Sequence, residues 1–336
     1  MATAFVPLQG RIDPALPKLV GIARMAADSP KTRERASVEY FALDSRSALN
    51  RESSGRMPFD WTLNPYRGCE FGCKYCYARY THEFMELWDG VDFERKIFAK
   101  VNAPDLLRAE LLRARDRGQS IALGTATDPY QPAEKQFEIT RRMLEVFAEL
   151  EGAAFSITTK SVLILRDLDL LQAIAARHRF SVHLTVTTTD ERLARLLEPK
   201  APPTAKRLEA VRQLAEAGIE VGVNAMPILP GITDEPAALE DLVRQAAAAG
   251  AQSIYGNVLF LMPSAMRTFM PFLEAEFPAL AGRYRRLYAR SAYLGGEYKE
   301  RIGRLMAVLR EKYGLIIRER PWPPKPAQLT LFQEQI

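Results

Sequence analysis

Residues 154–188 read AFSITTKSVLILRDLDLLQAIAARHRFSVHLTVTT. Two β-rich runs, AFSITTKS (154–161) and FSVHLTVTT (180–188), bracket an amphipathic helical stretch, LRDLDLLQAIAARH (165–178). A strand, a helix and a second strand at this spacing make a βαβ unit, its parallel strands joined by a right-handed crossover. The alternation continues in both directions. Further strands are expected at TLNPYRG (62–68), SIALGTAT (120–127), EVGVNAMPIL (220–229) and SIYGNVLFL (253–261). Helices are expected in KQFEITRRMLEVFAELEG, TAKRLEAVRQLAEAG and EPAALEDLVRQAAAAG between them. Gly152, Gly218 and Gly250 stand where a helix should stop and a strand begin. The six expected strands are too few for a closed eight-stranded barrel. They fit an α/β fold, either a partial (βα)6 TIM-type barrel or an open doubly wound sheet, and we expect the partial barrel.

Outside this alternation the chain changes character. Residues 1–60 are polar, Arg-rich and weakly periodic, and read as an N-terminal extension that either wraps the domain or trails from it. Residues 61–265 carry the barrel, 266–320 a helical C-terminal part, and 321–336, opening PWPPKP, an extended tail. No apolar run reaches the ~18–20 residues that a bilayer span needs. The start, MATAFVPLQGRIDP, lacks the charged and apolar stretches of a secretory leader. A cytoplasmic protein without membrane attachment is therefore expected. The net charge of +5 and pI near 9.0 fit nucleic-acid binding, but equally suit many small-molecule enzymes.

The three cysteines all fall in NPYRGCEFGCKYCYARYTHEF (64–84), at positions 69, 73 and 76. An odd, clustered set is a poor disulfide framework and a better metal site. Gly68 and Gly72 permit tight turns around a bound group. A [4Fe–4S] cluster takes four thiolates; held by Cys69, Cys73 and Cys76 alone, it keeps one iron open to a second molecule. The other reading is zinc, with His82 completing a C-x3-C-x2-C-x5-H set in a zinc-stabilised nucleic-acid-binding protein.

C-x3-C-x-aromatic-C, with Tyr75 as the aromatic, resembles the signature of the radical S-adenosylmethionine (SAM) superfamily. Together with GTATDPYQPAE (124–134) and TVTTTDERLARLLEP (185–199), it is most similar to the branch related to spore photoproduct lyase. The resemblance covers roughly residues 60–265. It implies a partial barrel, a [4Fe–4S] cluster on Cys69, Cys73 and Cys76, and SAM chelating the open iron. It also implies a low-potential electron donor such as flavodoxin or ferredoxin, reductive cleavage of SAM, and hydrogen abstraction from a substrate.

The same resemblance implies where SAM is held, at the C-terminal ends of the strands. Thr125, Thr127 and Asp128 stand where the family shows a Gly-Gly-Glu motif for the SAM amine. That motif is absent here, and Asp128-Pro129-Tyr130 also reads as a plain turn. Lys160 ends the third strand, as a partner for the SAM carboxylate or as an exposed loop lysine. Thr187, Thr189 and Glu198 follow the fourth strand within reach of ribose, although Thr189-Asp190-Glu191 also forms a helix start. MPILPGITD, after the fifth strand, resembles the segment that contacts adenine. Tyr77, next to Cys76, either packs the cluster or relays a hydrogen atom.

Two substrate classes stay open: a DNA lesion or other nucleic acid, and a protein or small molecule. RYRRLYAR (283–290) places arginines among aromatics, either to contact a nucleic acid or as an amphipathic helix packing its tyrosines inward. One departure from the spore photoproduct lyase branch is plain: that enzyme is thought to use an additional cysteine as hydrogen donor, and this chain has only the three of the loop. Lastly, Gln328-Leu329-Thr330-Leu331-Phe332 resembles the short peptide by which bacterial repair proteins bind the sliding clamp. Gln328 would be the polar anchor, and Leu331 and Phe332 the apolar hot spots; alternatively the three apolar residues tuck against the domain.

Overall fold

The computed structural model describes residues 19–55, 57–114 and 119–315; the clamp-like residues Gln328, Leu331 and Phe332 lie outside the described residues. Its strands are β1 Lys31–Arg35, β2 Val38–Leu43, β3 Leu49–Arg51, β4 Trp61–Leu63, β5 Tyr66–Arg67, β6 Lys96–Lys100, β7 Ser120–Leu123, β8 Ala154–Thr159, β9 Arg179–Thr185, β10 Val221–Ile228 and β11 Ser253–Val258. One sheet has the order β11-β10-β9-β8-β7-β4-β3, and a smaller one β1-β2-β6-β5. From β4 to β11 every neighbour in the large sheet is parallel, and only β3 runs antiparallel, at the β4 edge. The strands are laid down in chain order without reversal. That progression belongs to a partial barrel, because a doubly wound sheet turns back at a switch point.

Burial agrees. On β8, Phe155 and Ile157 are buried while Ser156 and Thr158 are half-buried; on β9, Phe180, Val182 and Leu184 alternate with Ser181 and His183 in the same way. The apolar set joins one core with Leu107, Met143, Phe147, Leu171, Ile174, Leu214, Leu242 and Met306 of the flanking helices. Helices therefore cover one face, and on β8 and β9 the other face carries half-buried polar side chains. A doubly wound sheet would carry helices and apolar side chains on both. The sixth outer helix is Gly296–Lys312, which packs Ile302 and Met306 into this core.

Several expectations are corrected in detail. TLNPYRG is not one strand: Pro65 lacks an amide to donate, and the chain leaves the large sheet after Leu63 to form β5 in the small one. β6 was not expected at all. KQFEITRRMLEVFAELEG is not one helix either. It breaks at Glu138, which takes φ 50°, and restarts at Ile139. The reason is Glu134, whose carboxylate accepts from the amides of Thr140 at 2.9 Å and Arg141 at 3.1 Å and so supplies the new helix with its first acceptors. Of the N-terminal segment, the described part contributes helix Gly21–Asp28 and three strands, two in the small sheet and one in the large. Among the described residues no helix is long and apolar enough to cross a membrane.

Candidate active site

The cysteine loop leaves β5 at the C-terminal end of the first parallel strand. Gly68 turns it at φ 82°, where a Cβ would meet the carbonyls of Lys96 and Phe93 at 2.8 and 2.9 Å. Only glycine lets the loop press this closely onto the chain leading into β6. The Cys69 amide donates to Phe93 at 2.8 Å, Lys74 to Leu197 at 2.9 Å, and Lys200 to Phe71 at 3.3 Å. Arg79, 3% exposed, clamps the loop from beneath, donating to the Cys73 carbonyl at 3.0 Å while pairing with Glu94 at 2.5 Å. A casing of Phe71, Phe93, Leu197, Leu229, Leu259, Leu261, Phe269 and Tyr284 surrounds the thiols. Much of it comes from helices Pro263–Glu276 and Pro278–Leu287, so the helical C-terminal part closes the site.

The thiols lie near enough for Cys73 and Cys76 to raise Cys69 and for Cys76 to raise Cys73, on top of a larger effect of burial. Burial, against the opposing charge of Lys160, pushes Cys73 up to about 12. Neutral thiols are what a buried, metal-free loop holds; thiolates there call for a cation. Among the described residues no three Cys, His, Asp or Glu side chains meet around one point that would hold a single metal ion. A cluster differs, because each thiolate takes a different iron. Three neighbouring thiols, Cys69 and Cys73 buried and Cys76 half-buried, fit a [4Fe–4S] group better than one tetrahedral zinc. His82 does not join them. Its Nε2 donates to the Lys96 carbonyl at 3.0 Å, its ring packs on Phe93 and Phe98, and burial pushes it down to about 4.

Beneath Cys73 runs a buried ionic network. Glu198, 1% exposed, accepts from the Tyr75 hydroxyl, pairs with Arg207 at 2.5 Å and lies 3.8 Å from the Lys160 ammonium. Burial opposes its charge, but Arg207, Lys160 and Tyr75 outweigh that and hold its carboxyl below the usual range. Burial likewise pulls Lys160 down, and Cys73 and Glu198 reverse it, leaving the ammonium raised. Arg207 also donates to the carbonyls of Thr185 at 3.1 Å and Pro202 at 2.7 Å. The network thus ties Tyr75 of the cysteine motif to the ends of β8 and β9.

The other expected residues are placed as follows. Asp128 accepts from the Thr159 hydroxyl at 2.6 Å, the Tyr130 amide at 2.9 Å and the Lys160 amide at 2.7 Å. Thr127 donates to the Gly68 carbonyl at 2.6 Å and accepts from Gln131 at 2.9 Å. Both knit the loop after β7 to β8 and to the cysteine loop. Thr125 bonds the Asn64 side chain, whose Oδ1 accepts from the Ala126 amide at 2.8 Å. Thr187 is buried with its hydroxyl unpartnered at the end of β9. Thr189 is drawn outward instead, donating to Asp241 at 2.7 Å, while Asp190 caps helix Glu191–Leu197. Tyr77, 39% exposed, donates its hydroxyl to the Thr125 carbonyl. Its ring leads to Phe260 at 6.1 Å, which stacks on exposed Tyr293 at 4.2 Å. In RYRRLYAR, Tyr284 and Tyr288 are buried, so they are core residues, while the arginines face out.

Sequence reasoning missed Glu94 and Arg207, which read as ordinary surface charges, and it gave Arg79 no role although the residue lies inside the cysteine motif. Glu134 and Gln131 lay inside the GTATDPYQPAE motif, and that membership was the available signal.

The Radical SAM superfamily model matches residues 63–243 of the chain. A Mycobacterium tuberculosis protein described as uncharacterized is 36% identical over 329 residues, covering 95% of each chain. An uncharacterized protein of Methanocaldococcus jannaschii is 32% identical over 222 residues, 65% of this chain and 76% of its own. Among solved structures, a spore photoproduct lyase variant with bound AdoMet and dinucleoside spore photoproduct superposes with a TM-score of 0.61 at 13% identity. That superposition covers 82% of this chain and 79% of the lyase, and is a likeness of fold.

Proposed function

The chain belongs to the radical SAM superfamily, and from that premise we propose that it is an enzyme that removes a hydrogen atom from a nucleic-acid substrate. The observation that carries the reading is the set of neighbouring thiols at the mouth of the parallel strands, Cys69 and Cys73 buried and Cys76 half-buried. They would hold a [4Fe–4S] cluster, with SAM at its open iron. When bound, the pair supplies reductive cleavage of SAM and a radical that abstracts hydrogen.

The chain's own residues position and insulate. Lys160 keeps a cation beside Cys73 and offers it to a carboxylate, and the unpartnered Thr187 hydroxyl offers a hydrogen bond at the same strand ends. Asp128 and Thr127 act by fixing the loops around the thiols, because their oxygens already have partners. The apolar casing excludes water from Cys69 and Cys73.

For the substrate, support comes from the series Tyr77, Phe260, Tyr293, which leads from the cysteine loop to the surface and offers flat faces to bases. The basic net charge favours a polyanion, and the similarly folded lyase binds a dinucleoside. The test is anaerobic reconstitution, iron and sulfide analysis, and SAM cleavage with deuterated oligonucleotides. Deuterium should reach 5′-deoxyadenosine. No SAM cleavage sinks the enzymatic reading; cleavage that labels only a peptide or small molecule sinks the nucleic-acid one.

We also propose that Gln328, Leu331 and Phe332 dock on a sliding clamp. Leu331→Ala with Phe332→Ala should abolish clamp binding and leave SAM cleavage unchanged; binding that survives the double change rejects the proposal.

A further inference from the structure

Away from the thiols, two cations share one face of the small sheet without an acceptor. Arg67 lies directly opposite Phe98 in the β5–β6 pairing, and Lys100 is two residues further along β6. Directly paired residues, and residues two apart on a strand, leave the same side of a sheet. That side is the one turned from the barrel core. There Phe41 stacks on Phe98 at 4.8 Å, and Leu43 is the register partner of Lys100. Ala26 and Met85 close over it, with the His82 ring edge-on to Phe98 at 6.0 Å.

Lys100 is 5% exposed, and among the described residues its ammonium has no ion pair or hydrogen bond. The Arg67 Nε is buried and unpartnered, and so is the Nδ1 of His82, which feels the Arg67 charge. The carboxylate that acts on Lys100, Glu110, already accepts from the amides of Ala48 at 3.1 Å and Leu49 at 2.8 Å. At the rim, the Tyr80 phenol borders Arg67, and Glu52 beyond it accepts from Ser54. Burial and then Arg67 push Lys100 down to about 7, as expected of two like charges left together.

Buried charges are ordinarily paired or hold a ligand. We infer that Arg67 and Lys100 bind an oxyanion of the phosphate class. Arg67 suits it with a planar fork of donors and Lys100 with a point charge; His82 Nδ1, an acceptor in this tautomer, would meet a protonated anion oxygen or a water. A free phosphate and a nucleic-acid backbone present the same group. The inference does not depend on the cluster or on SAM.

The test uses full-length protein isolated anaerobically. Thermal unfolding is followed while sodium phosphate replaces sodium chloride at constant ionic strength. Phosphate should raise the wild-type midpoint, and Lys100→Met should weaken phosphate binding about tenfold or more, the scale of one charge-assisted contact. In chloride alone, Lys100→Met should unfold no earlier than wild type, because methionine keeps the packing and removes an unpaired charge. Equilibrium dialysis of phosphate against wild type gives an answer even if the variant does not fold. Wild type that binds no phosphate, or a variant that binds it equally well, overturns the inference. A short oligonucleotide that displaces the phosphate assigns the site to a nucleic-acid backbone; phosphate that stays bound assigns it to a free anion.

Discussion

The two faces of the large sheet differ in what they ask of their side chains. The outer face of β8 and β9 presents Phe155, Ile157, Phe180, Val182 and Leu184 to the helices, and the inner face presents Ser156, Thr158, Ser181 and His183. The first set is large, branched and wholly buried, and its burial holds the fold. The second is polar and half-buried, and its short members Ser156, Thr158 and Ser181 leave room. Strands that look alike in propensity thus divide stability and chemistry between alternate residues. At the mouth the division ends: there the residues that keep the loops folded, Glu198, Arg207, Asp128 and Thr127, are the ones that shape the thiol site.

The sharpest way to break this comparison is at the thiols. Cys73→Ala should remove iron and SAM cleavage completely, yet leave far-UV dichroism unchanged, because the helices rest on the outer face. Loss of the fold together with the iron would mean that the two regions are not separable. Next in size is Arg207→Met. It leaves Glu198 buried and short of its strongest partner, at a cost of about 3–5 kcal/mol, read by denaturant titration. An unchanged midpoint would show that Lys160 and Tyr75 suffice.

Ile157→Ala should cost roughly 2–5 kcal/mol and its neighbour Ser156→Ala within about 0.5 kcal/mol either way. Similar costs at the two positions would refute the assignment of faces. The smallest effect concerns pH. His82 is pushed down to about 4 from its ordinary 6.5 by burial, so the unfolded chain binds its proton first. Stability should therefore fall as pH drops from the ordinary value toward the depressed one and level off below it, by up to about 3 kcal/mol from this residue. His82→Phe should make that slope shallower; an unchanged slope would assign it to His183 and His178, which burial also lowers.

Much of the fold was legible because its signal is local. Each parallel strand is a short β-rich run, and Gly152, Gly218 and Gly250 take φ of 78°, 79° and 84° where helices end. The thiols were legible because their spacing is contiguous. β6 and β5 were not, since KIFAK and YR are too short to show a period and owe their pairing to each other and, for β6, to β2 of the N-terminal segment. Arg207 was invisible for a related reason. A basic residue one turn into a helix reads as solvent-exposed, and only the tertiary placement of Glu198 makes it a buried partner. Thr189 was read from position alone, and nothing in the sequence signalled that its hydroxyl would turn to Asp241 on the helix outside the strands.

The large sheet has two ends that do not pair with one another, β11 on one side and β3 on the other. A closed barrel can be entered only along its axis, so a polymer would have to be threaded by an end. A wall that stops short admits a long chain sideways, at any point along its length. On the proposed nucleic-acid reading, no strand among the described residues bridges that gap to limit how far such a chain would run past the thiols. Only the groups lining the opening set which stretch of it stops there.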